Sequence, residues 1–357
     1  MKKEVYDPTK PFGEQIRKLI QKTHPKEGVI TVEKHGKRFR IIRDNDYWKN
    51  FNEMIATDGI GTKGKIHYEM GTLAYGVQDV FAMVVDDLME YGYIPAILQD
   101  HILLQEENEE KIFTIVKALR DLCLKYTWEA EEKSYPIIIS GGETAIINTL
   151  QGFEMGITAI GYVKKGEEIF PRVKVGDEII GIKSNGIHSN GLTFLRQELF
   201  EKRSYKLDDK FPWGVTIGEE LTKPTHVYMP ALKELLKELR EEIHGMVHIT
   251  GGGNSKLREL ILAEKDVDIK ISREHELEPQ EIFYFIYKEF KVPPQKMYTR
   301  FNNGWGYAIA IDKEESDKAL RIIRKYFPAS LIGKAKEGKG RVIIESQYDD
   351  SEIIFET

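Results

Sequence analysis

Apolar residues recur at helical spacing in residues 72–91 of the first half of the chain. They lie three or four positions apart and so share one helix face: Val77, Val80, Phe81, Val84 and Leu88. Residues 107–130 are amphipathic in the same way and predict a second, longer helix. Short apolar runs predict buried strands at three places: 96–98, 136–140 and 155–163.

The second half alternates between the same two patterns. Strands are predicted at five places: 178–182, 246–250, 267–271, 306–311 and 341–345. Helices are predicted between them: 190–202, 229–243, 254–264 and 314–326. This alternation indicates a mixed α/β fold. At 357 residues the chain is long enough for two domains, which we place at 1–165 and 166–357.

Composition narrows the classes of protein. The 52 basic and 58 acidic residues give a net charge of −6 without a basic block, which argues against a nucleic-acid partner. No apolar run approaches the roughly 18 residues of a membrane span, so we expect no membrane partner. The single cysteine, Cys123, excludes an internal disulfide framework and fits a reducing compartment. We therefore expect a cytoplasmic protein.

Candidate chemistry begins at Asp58-Gly-Ile-Gly-Thr-Lys63. A P-loop is excluded because Ile66 stands where a hydroxyl should hold Mg²⁺. A dinucleotide loop is disfavoured because the Asp58 charge would repel a pyrophosphate. We interpret the segment as a unit in which Asp58 holds a hard cation, the glycines admit a ligand and Lys63 meets a phosphate. A glycine turn capped by an Asp explains the same residues.

Two further acidic positions stand out in the first half. Asp86 and Asp87 interrupt an apolar helix, where burial costs free energy unless a cation or hydrogen-bond donors hold them. Emergence of one helix face into water is the alternative. Glu143 follows a buried strand, a position where ligands often meet an α/β sheet. An ordinary strand-to-helix turn would explain it as well.

The second half contains two glycine loops between a strand and a helix. In the first, Ser184 to Gly191, Ser189 or Asn190 should cap the helix, and His188 either contacts a phosphate or is a plain turn residue. In the second, His248 to Asn254, three glycines precede a helix that Asn254 should cap. Unsatisfied N–H groups at both suit an anion, so we predict that the loops face a common cleft and hold a phosphate.

Taken in order, these motifs resemble the aminoimidazole ribonucleotide synthetase (phosphoribosylformylglycinamidine cyclo-ligase) family. That family reads D-G-V-G-T-K, A-M-x-V-N-D-L, L-D-Y, G-G-E-T-A, S-S-G-x-H-S-N-G, L-x-P-T-x-x-Y, H-x-T-G-G-G and M-x-R-T-F-N-x-G-x-G. The matching segments here, besides those above, are Ala82–Leu88, Gln99–His101, Gly141–Ala145, Leu221–Tyr228 and Met297–Gly306. The matches are collinear from about residue 56 to 345.

The resemblance implies an N-terminal α/β domain whose sheet pairs with a second subunit's into a barrel, plus a C-terminal α/β domain. It implies ATP- and Mg²⁺-dependent cyclisation of formylglycinamidine ribonucleotide through an imino-phosphate. Lys63 and His188 would be catalytic. ATP or its phosphates would contact Gly59, Gly61, Thr62, Asp100, Gly141, Gly142, Glu143 and Thr144. The substrate phosphate would contact Ser189, Asn190, Gly191, Gly251, Gly252 and Gly253, and the metal would contact Asp58, Asp86 and Asp87.

The chain also departs from the family pattern. The N-terminal Y-x-x-A-G-V-D and G-G-F-G segments are missing, Asp86 replaces an Asn, and residues 146–151 replace E-M-P-G-M-Y. Two alternatives follow: a divergent member that phosphorylates another small amide or phosphate ester, and a non-catalytic ligand-binding homologue. Retention of Asp58, Lys63, Asp87, Glu143 and His188 argues against the second.

Overall fold

The computed structural model describes residues 11–36, 38–263 and 266–356. The chain divides into two compact units. Unit 1 comprises the described residues up to Met89 and the segment Tyr93–Glu168; unit 2 comprises Glu90–Gly92 and the described residues from Ile169 onward. The predicted domain boundary follows residue 165, and in the structure the chain passes from unit 1 to unit 2 after Glu168.

The first part of the chain mixes helices and strands. The helices are α1 (Pro11–Ile20), α2 (Asn45–Trp48), α3 (Lys63–Met70), α4 (Leu73–Glu90) and α5 (Glu109–Lys125), with a 3₁₀ turn at Gln21–Thr23. The strands are β1 (Ile30–His35), β2 (Arg38–Arg43), β3 (Phe51–Gly59), β4 (Ile94–Leu104), β5 (Thr127–Ala130), β6 (Lys133–Pro136), β7 (Ile138–Ile146) and β8 (Phe153–Lys164).

Unit 1 is built on a four-stranded sheet in the order β3-β8-β4-β7. Only the β4–β7 pair is parallel in this sheet, because β7 follows β4 by way of α5. The predicted apolar face of α4 is fully buried, which confirms that helix and explains why it forms: its stripe is core. Two hairpins, β1–β2 and β5–β6, complete the unit.

The predicted helix over 107–130 is wrong at its C-terminal end. Helix α5 stops at Lys125, and Thr127–Ala130 pairs with Lys133–Pro136 as a hairpin. Glu131 and Glu132 take positive φ angles in the turn, and Trp128 stacks on Tyr135 at 4.6 Å between ring centroids. Cross-strand aromatic packing therefore overrides the helical pattern of this segment.

Unit 2 contains the remaining elements. Its strands are β9 (Glu178–Lys183), β10 (Ile243–His248), β11 (Val267–Ile271), β12 (Trp305–Ile311), β13 (Ala329–Glu337), β14 (Arg341–Glu345) and β15 (Glu352–Glu356). Its α-helices are α6 (Leu192–Arg196), α7 (Ile217–Leu221), α8 (Met229–Leu239), α9 (Glu281–Glu289), α10 (Pro294–Arg300) and α11 (Ser316–Ile323). A π-helical turn covers Gln197–Glu201, and 3₁₀ helices cover Gly253–Ile261 and Lys313–Glu315.

A seven-stranded sheet, in the order β10-β12-β9-β13-β11-β14-β15, forms the centre of unit 2. Its strands pair antiparallel except β11 with β14. Strand β12 is buried along its whole length, as its unbroken apolar sequence requires. All five strands predicted in this half are present, and the mixed α/β class is confirmed for both units. Pairing of the unit 1 sheet across a dimer stays a prediction.

Among the residues that the structure describes, no helix is both long and apolar enough to cross a membrane.

Candidate active site

Register across the unit 1 sheet aligns the predicted site residues in two adjacent rows. Asp58 of β3 pairs with Ile157, which pairs with Asp100 of β4, which pairs with Gly142 of β7. Asp58 and Asp100 therefore share one sheet face, two strand spacings or ~10 Å apart. The next row contains Gly59, Gly156, His101 and Glu143, whose side chains point to the opposite face.

Asp100 is a buried carboxyl beside a glycine. It is 8% exposed, and a Cβ built on Gly142 would lie 2.5–2.6 Å from its carboxyl atoms. Burial, with a smaller contribution from the nearby charge of Glu143, raises the pKa of Asp100 to about 7. This carboxyl can hold or release a proton near neutral pH, so it is not a permanently charged ATP contact.

The strand predicted at 136–140 continues through Gly141–Thr144, so this segment neither follows the strand nor forms the alternative strand-to-helix turn. These residues lie inside β7, in register with Gln99–Ile102 of β4. Gly141, Gly142, Glu143 and Thr144 therefore present strand backbone rather than a glycine loop, and Glu143 is exposed on the sheet face opposite Asp100. Parallel pairing with β4 extends the strand beyond its apolar core.

The segment from Asp58 to Thr62 contains the end of β3 and the turn that leads into α3. Oδ1 of Asp58 accepts the Gly59 N–H at 2.6 Å. The Gly61 N–H donates to Oε1 of Glu154 at 3.2 Å, and Gly61 has φ +58°. A Cβ on Gly61 would meet nothing within 4 Å, so this side of the turn is open. Burial raises the pKa of Glu154. Sequence analysis missed Glu154 because it lies 93 residues away in β8.

Lys63 lies in the interior rather than in the open part of the turn. Its side chain is 1% exposed, and its Nζ donates to Oδ1 of Asp79 at 2.7 Å. Nε2 of His67 bonds the other oxygen of Asp79 at 2.7 Å, and Nδ1 of His67 bonds Oγ1 of Thr72 at 2.8 Å. Burial alone would raise the pKa of Asp79, but Lys63 and His67 lower it to about 2. The predicted contact of Lys63 with a phosphate is not the arrangement seen here.

The three carboxylates predicted for a metal differ in their surroundings. Asp58 is half-buried at the turn, Asp86 is fully buried in α4, and Asp87 is half-buried beside it. Within residues 11–36, 38–263 and 266–356, no group of three or more His, Cys, Asp or Glu side chains could hold a metal ion. The described side chains alone therefore do not form the expected three-carboxylate metal site.

The two glycine loops of unit 2 both pack against Phe301. A Cβ on Gly191 would overlap the ring of Phe301, and a Cβ on Gly253 would lie 2.6 Å from the Phe301 carbonyl oxygen. Oδ1 of Asn190 would lie 4.0 Å from a Cβ on Gly251. Loops 189–191 and 251–253 are therefore neighbours in the fold. That they face a common cleft and hold a phosphate stays a prediction.

The predicted caps of the two helices are wrong. Gly191, at φ +78°, is the N-cap residue of α6, and Gly252, at φ +92°, is the N-cap residue of the 3₁₀ helix, in neither case with a side-chain cap. Asn254 lies one residue inside its helix and is fully buried. Since only glycine adopts these φ angles easily, the loops are fixed by backbone conformation instead of by caps.

Two shielded polar atoms lie where these loops meet. Oγ of Ser189 and Nδ2 of Asn190 are covered from solvent, and neither has a hydrogen-bond partner in the part of the chain that the structure describes. A buried donor without a partner costs about 1–3 kcal/mol. Both atoms are suited to a phosphate oxygen.

His188 is held deep in its loop. It is 3% exposed, has φ +61°, and its Nε2 accepts the Asn185 N–H at 3.1 Å. A neutral ring then carries its proton on Nδ1. Gly306 makes room for the ring, because a Cβ there would lie 2.6 Å from Cε1 of His188. The left-handed backbone of a non-glycine residue is strained and is maintained by this packing.

A network of asparagine amides joins the two loops. Nδ2 of Asn302 donates to the carbonyl of Gly186 at 2.8 Å, and its Oδ1 accepts from Oγ of Ser184 at 2.9 Å. Nδ2 of Asn303 donates to Oδ1 of Asn254 at 2.6 Å, and Nδ2 of Asn254 donates to the carbonyl of Asn302 at 3.2 Å. Asn302 lies in the Met297–Gly306 motif, but no role was predicted for it. The sequence signal for this network is the pair of adjacent asparagines before Gly304.

Known proteins share much of this sequence. The family model described as AIR synthase related protein, C-terminal domain, matches residues 174–345. A phosphoribosylformylglycinamidine cyclo-ligase of Methanobrevibacter smithii is 34% identical over 84% of this chain and 84% of its own length. The enzyme of the same name from Pyrococcus horikoshii is 36% identical over 80% of each chain.

Among solved structures, the hydrogenase maturation protein HypE in complex with ATP is similar in fold. Its TM-score is 0.58 at 16% identity, over 85% of this chain and 84% of that one. Such a likeness extends to the fold alone. The sequence relatives, in contrast, cover most of both chains at more than 30% identity, and so the chain belongs to the phosphoribosylformylglycinamidine cyclo-ligase family of ligases.

Proposed function

We propose that this protein converts formylglycinamidine ribonucleotide into aminoimidazole ribonucleotide at the expense of ATP. The observation that carries the proposal is the pair of shielded donors, Oγ of Ser189 and Nδ2 of Asn190, beside the glycines of loop 251–253. A ribose phosphate supplies the acceptors that these donors need. The names of the sequence relatives support the same substrate.

The reaction has two bond-making steps. The formyl amide oxygen of the substrate takes the γ-phosphoryl group of ATP, the amide nitrogen gives up its proton to leave an imino-phosphate, and ADP leaves. A nitrogen of the amidine side then attacks the imino-phosphate carbon, a C–N bond forms, the C–O bond to phosphate breaks, and the nitrogen gives up a proton. The protein's part is to hold the phosphates and orient the two reacting groups. The Nδ1–H of His188 is suited to donate a hydrogen bond in unit 2.

Asp58 and the open side of Gly61 favour a nucleotide phosphate and Mg²⁺ in unit 1. Mg²⁺ needs only one or two protein carboxylates when phosphates and water complete its shell, so the absence of a three-residue cluster among the described side chains is compatible with it. Asp58 would hold the ion, with Asp87 as the second candidate. When bound, Mg²⁺ neutralises charge on the phosphates.

We further propose a homodimer in the cytoplasm. The sheet face that carries Thr57, Thr158 and Gln99 is exposed in the single chain, and Ile55 on it is 61% exposed. An isologous pairing would cover this face. Light scattering at micromolar protein should give about twice 41.2 kDa; a monomer at that concentration would contradict the proposal.

Turnover of formylglycinamidine ribonucleotide with ATP tests the function directly. The Ser189→Ala/Asn190→Leu variant should raise the KM for that substrate by at least about tenfold, as expected for two lost hydrogen bonds to a charged group, and leave the KM for ATP near its original value. Ser134→Ala, an exposed serine of β6, is the matched control.

Other outcomes identify the alternatives. ATP hydrolysis that requires Mg²⁺ but ignores formylglycinamidine ribonucleotide would indicate a divergent member acting on another small amide or phosphate ester. Absence of any Mg²⁺-dependent ATP hydrolysis would indicate a non-catalytic homologue.

A further inference from the structure

The first turn of α3 is wedged between a strand and a helix of unit 1. A Cβ on Gly64 would collide with the carbonyl oxygen of Phe153 in β8. On the other side, a Cβ on Gly76 of α4 would lie 2.8 Å from Cδ1 of Ile60 and 3.1 Å from Cδ2 of His67. The two missing side chains thus allow the glycine turn and α3 to approach both neighbours closely.

The carboxylate of Asp79 in α4 binds two side chains of α3. Lys63 and His67 are one helical turn apart and bond the two oxygens of Asp79, each at 2.7 Å. The side chains of Lys63, His67 and Asp79 are 1%, 0% and 0% exposed. Thr72, which precedes α4, bonds the far nitrogen of His67 at 2.8 Å. All four residues lie within unit 1.

Moving the Lys63 ammonium out of this cluster is costly. The departure would leave the Asp79 carboxylate buried without its cationic partner, and an uncompensated buried charge is strongly destabilising. Lys63 is also the first residue of α3, so anchoring its side chain fixes where the Gly59–Thr62 turn ends. The cluster therefore controls the turn that the proposed function assigns to nucleotide phosphates.

We propose that Lys63 is a positioning residue: together with Asp79, His67 and Thr72 it clamps the glycine turn to α4, and it acts on the nucleotide through the turn backbone without touching a phosphate. The clamp is a property of the fold, while its effect on ATP rests on the proposed function. Asp79 and His67 then become part of the nucleotide site although neither contacts the ligand.

Replacing the buried ion pair separates the two roles of Lys63. Lys63→Met leaves the Asp79 carboxylate buried without its cation, with only His67 still bonded to it, and Asp79→Leu leaves the Lys63 ammonium buried without a carboxylate. Each should lower the melting temperature by about 10 °C. The double variant, Lys63→Met/Asp79→Leu, removes both charges and leaves only Nε2 of His67 without this partner, so it should regain most of that loss. Lys65→Met is the matched control, because Lys65 lies two residues on in α3 and is 39% exposed.

Kinetics and binding supply the readout that a purely structural role would not move. Each single variant should raise the KM and the dissociation constant for ATP by roughly tenfold or more with little change in the KM for formylglycinamidine ribonucleotide, and the double variant should return to within about threefold of the wild type. A double variant that is as stable as the wild type but has kcat reduced by about 100-fold or more would overturn the proposal, since Lys63 would then contact the transferred phosphoryl group.

Hydrogen exchange keeps the test independent of turnover. Amide exchange at residues 59–64 should be faster in both single variants and restored in the double variant, with or without ATP. Unchanged exchange and melting temperature in the single variants would overturn the clamp. Lack of turnover by the wild type would overturn the proposed function and leave the exchange result standing on its own.

Discussion

The two halves of this protein anchor their glycine loops by opposite means. In unit 1 the Gly59–Lys63 turn is tied to α4 by an ammonium, a carboxylate and an imidazole, all buried. In unit 2 the Gly251–Gly253 loop is tied to its neighbours by the neutral amides of Asn254, Asn302 and Asn303. A charged anchor fixes its partners firmly but fails when one member is lost, whereas an amide network loses its bonds one at a time.

A matched pair of glycines sharpens this contrast. Gly61 has φ +58° and open space around it, while Gly253 has φ +57° and backbone atoms of Tyr298 and Phe301 at 2.6–2.9 Å from a built Cβ. The same backbone conformation thus serves two purposes. In unit 1 the glycine leaves a surface open to a ligand, and in unit 2 it lets the protein pack against itself.

The largest effect we expect is for Gly253→Ala. A left-handed backbone costs an alanine about 1–2 kcal/mol, and displacing two backbone carbonyls adds more, so the total should reach about 4 kcal/mol of unfolding free energy. Gly61→Ala has the same strain without the collision and should cost only about 1 kcal/mol. Urea denaturation of both variants measures the difference. Equal losses at the two positions would break the comparison.

Removal of Asn303 comes next. Its Nδ2 donates to Oδ1 of Asn254 and to two backbone carbonyls. Its own Oδ1 accepts from the Tyr348 hydroxyl at 2.6 Å. Asn303→Ala should cost about 3 kcal/mol, because several buried partners lose a bond together. Tyr348→Phe removes a single bond and should cost about 1 kcal/mol. Hydrogen exchange should show the loosening in loop 251–254; a cost for Asn303→Ala no greater than that of Tyr348→Phe would show that the amides do not act as a network.

The smallest effect concerns pH. The folded state keeps the proton of Asp100 up to about pH 7, whereas the unfolded chain releases it near 3.8. Between these values the folded state binds more protons, so its stability falls as pH rises from about 4 to 7. Asp100→Asn should remove this slope and gain about 2 kcal/mol at pH 8. Denaturation midpoints at pH 5 and pH 8 measure it. A wild type without this slope would mean that the buried carboxyl stays ionised.

Long periodic segments could be predicted because the spacing of their apolar residues indicates which side chains are buried. The helix predicted at 72–91 occupies Leu73–Glu90, and strand 267–271 was placed without error. Segments stabilised by partners distant in sequence were not predictable. The hairpin at Thr127–Ala130 and the extension of β7 through Gly141–Thr144 both depend on neighbouring strands.

The residues of the candidate site also divide into those that local sequence patterns predicted and those that depend on distant partners. Loops 189–191 and 251–253 were found from local glycine and strand signals, but Glu154 reaches the first turn from a distant strand. Asp79 carried a usable signal: like Asp86, it is an acidic residue within the mostly apolar sequence of α4. The pairing of Lys63 with Asp79 could not be predicted, because helices α3 and α4 are brought together by a turn whose path the pattern does not specify.

The contact between Asp100 and Gly142 restricts how this family can vary. A side chain at 142 would occupy the space of the carboxyl group at 100, although the two positions lie on separate strands of a parallel pair. Among relatives that share this sheet, a larger residue at 142 should occur only with a small residue at 100. A combinatorial library randomised at both positions should return the same covariation among its folded members. Asp at position 100 should occur with Gly at 142, and Gly or Ser at 100 should occur with Ala at 142.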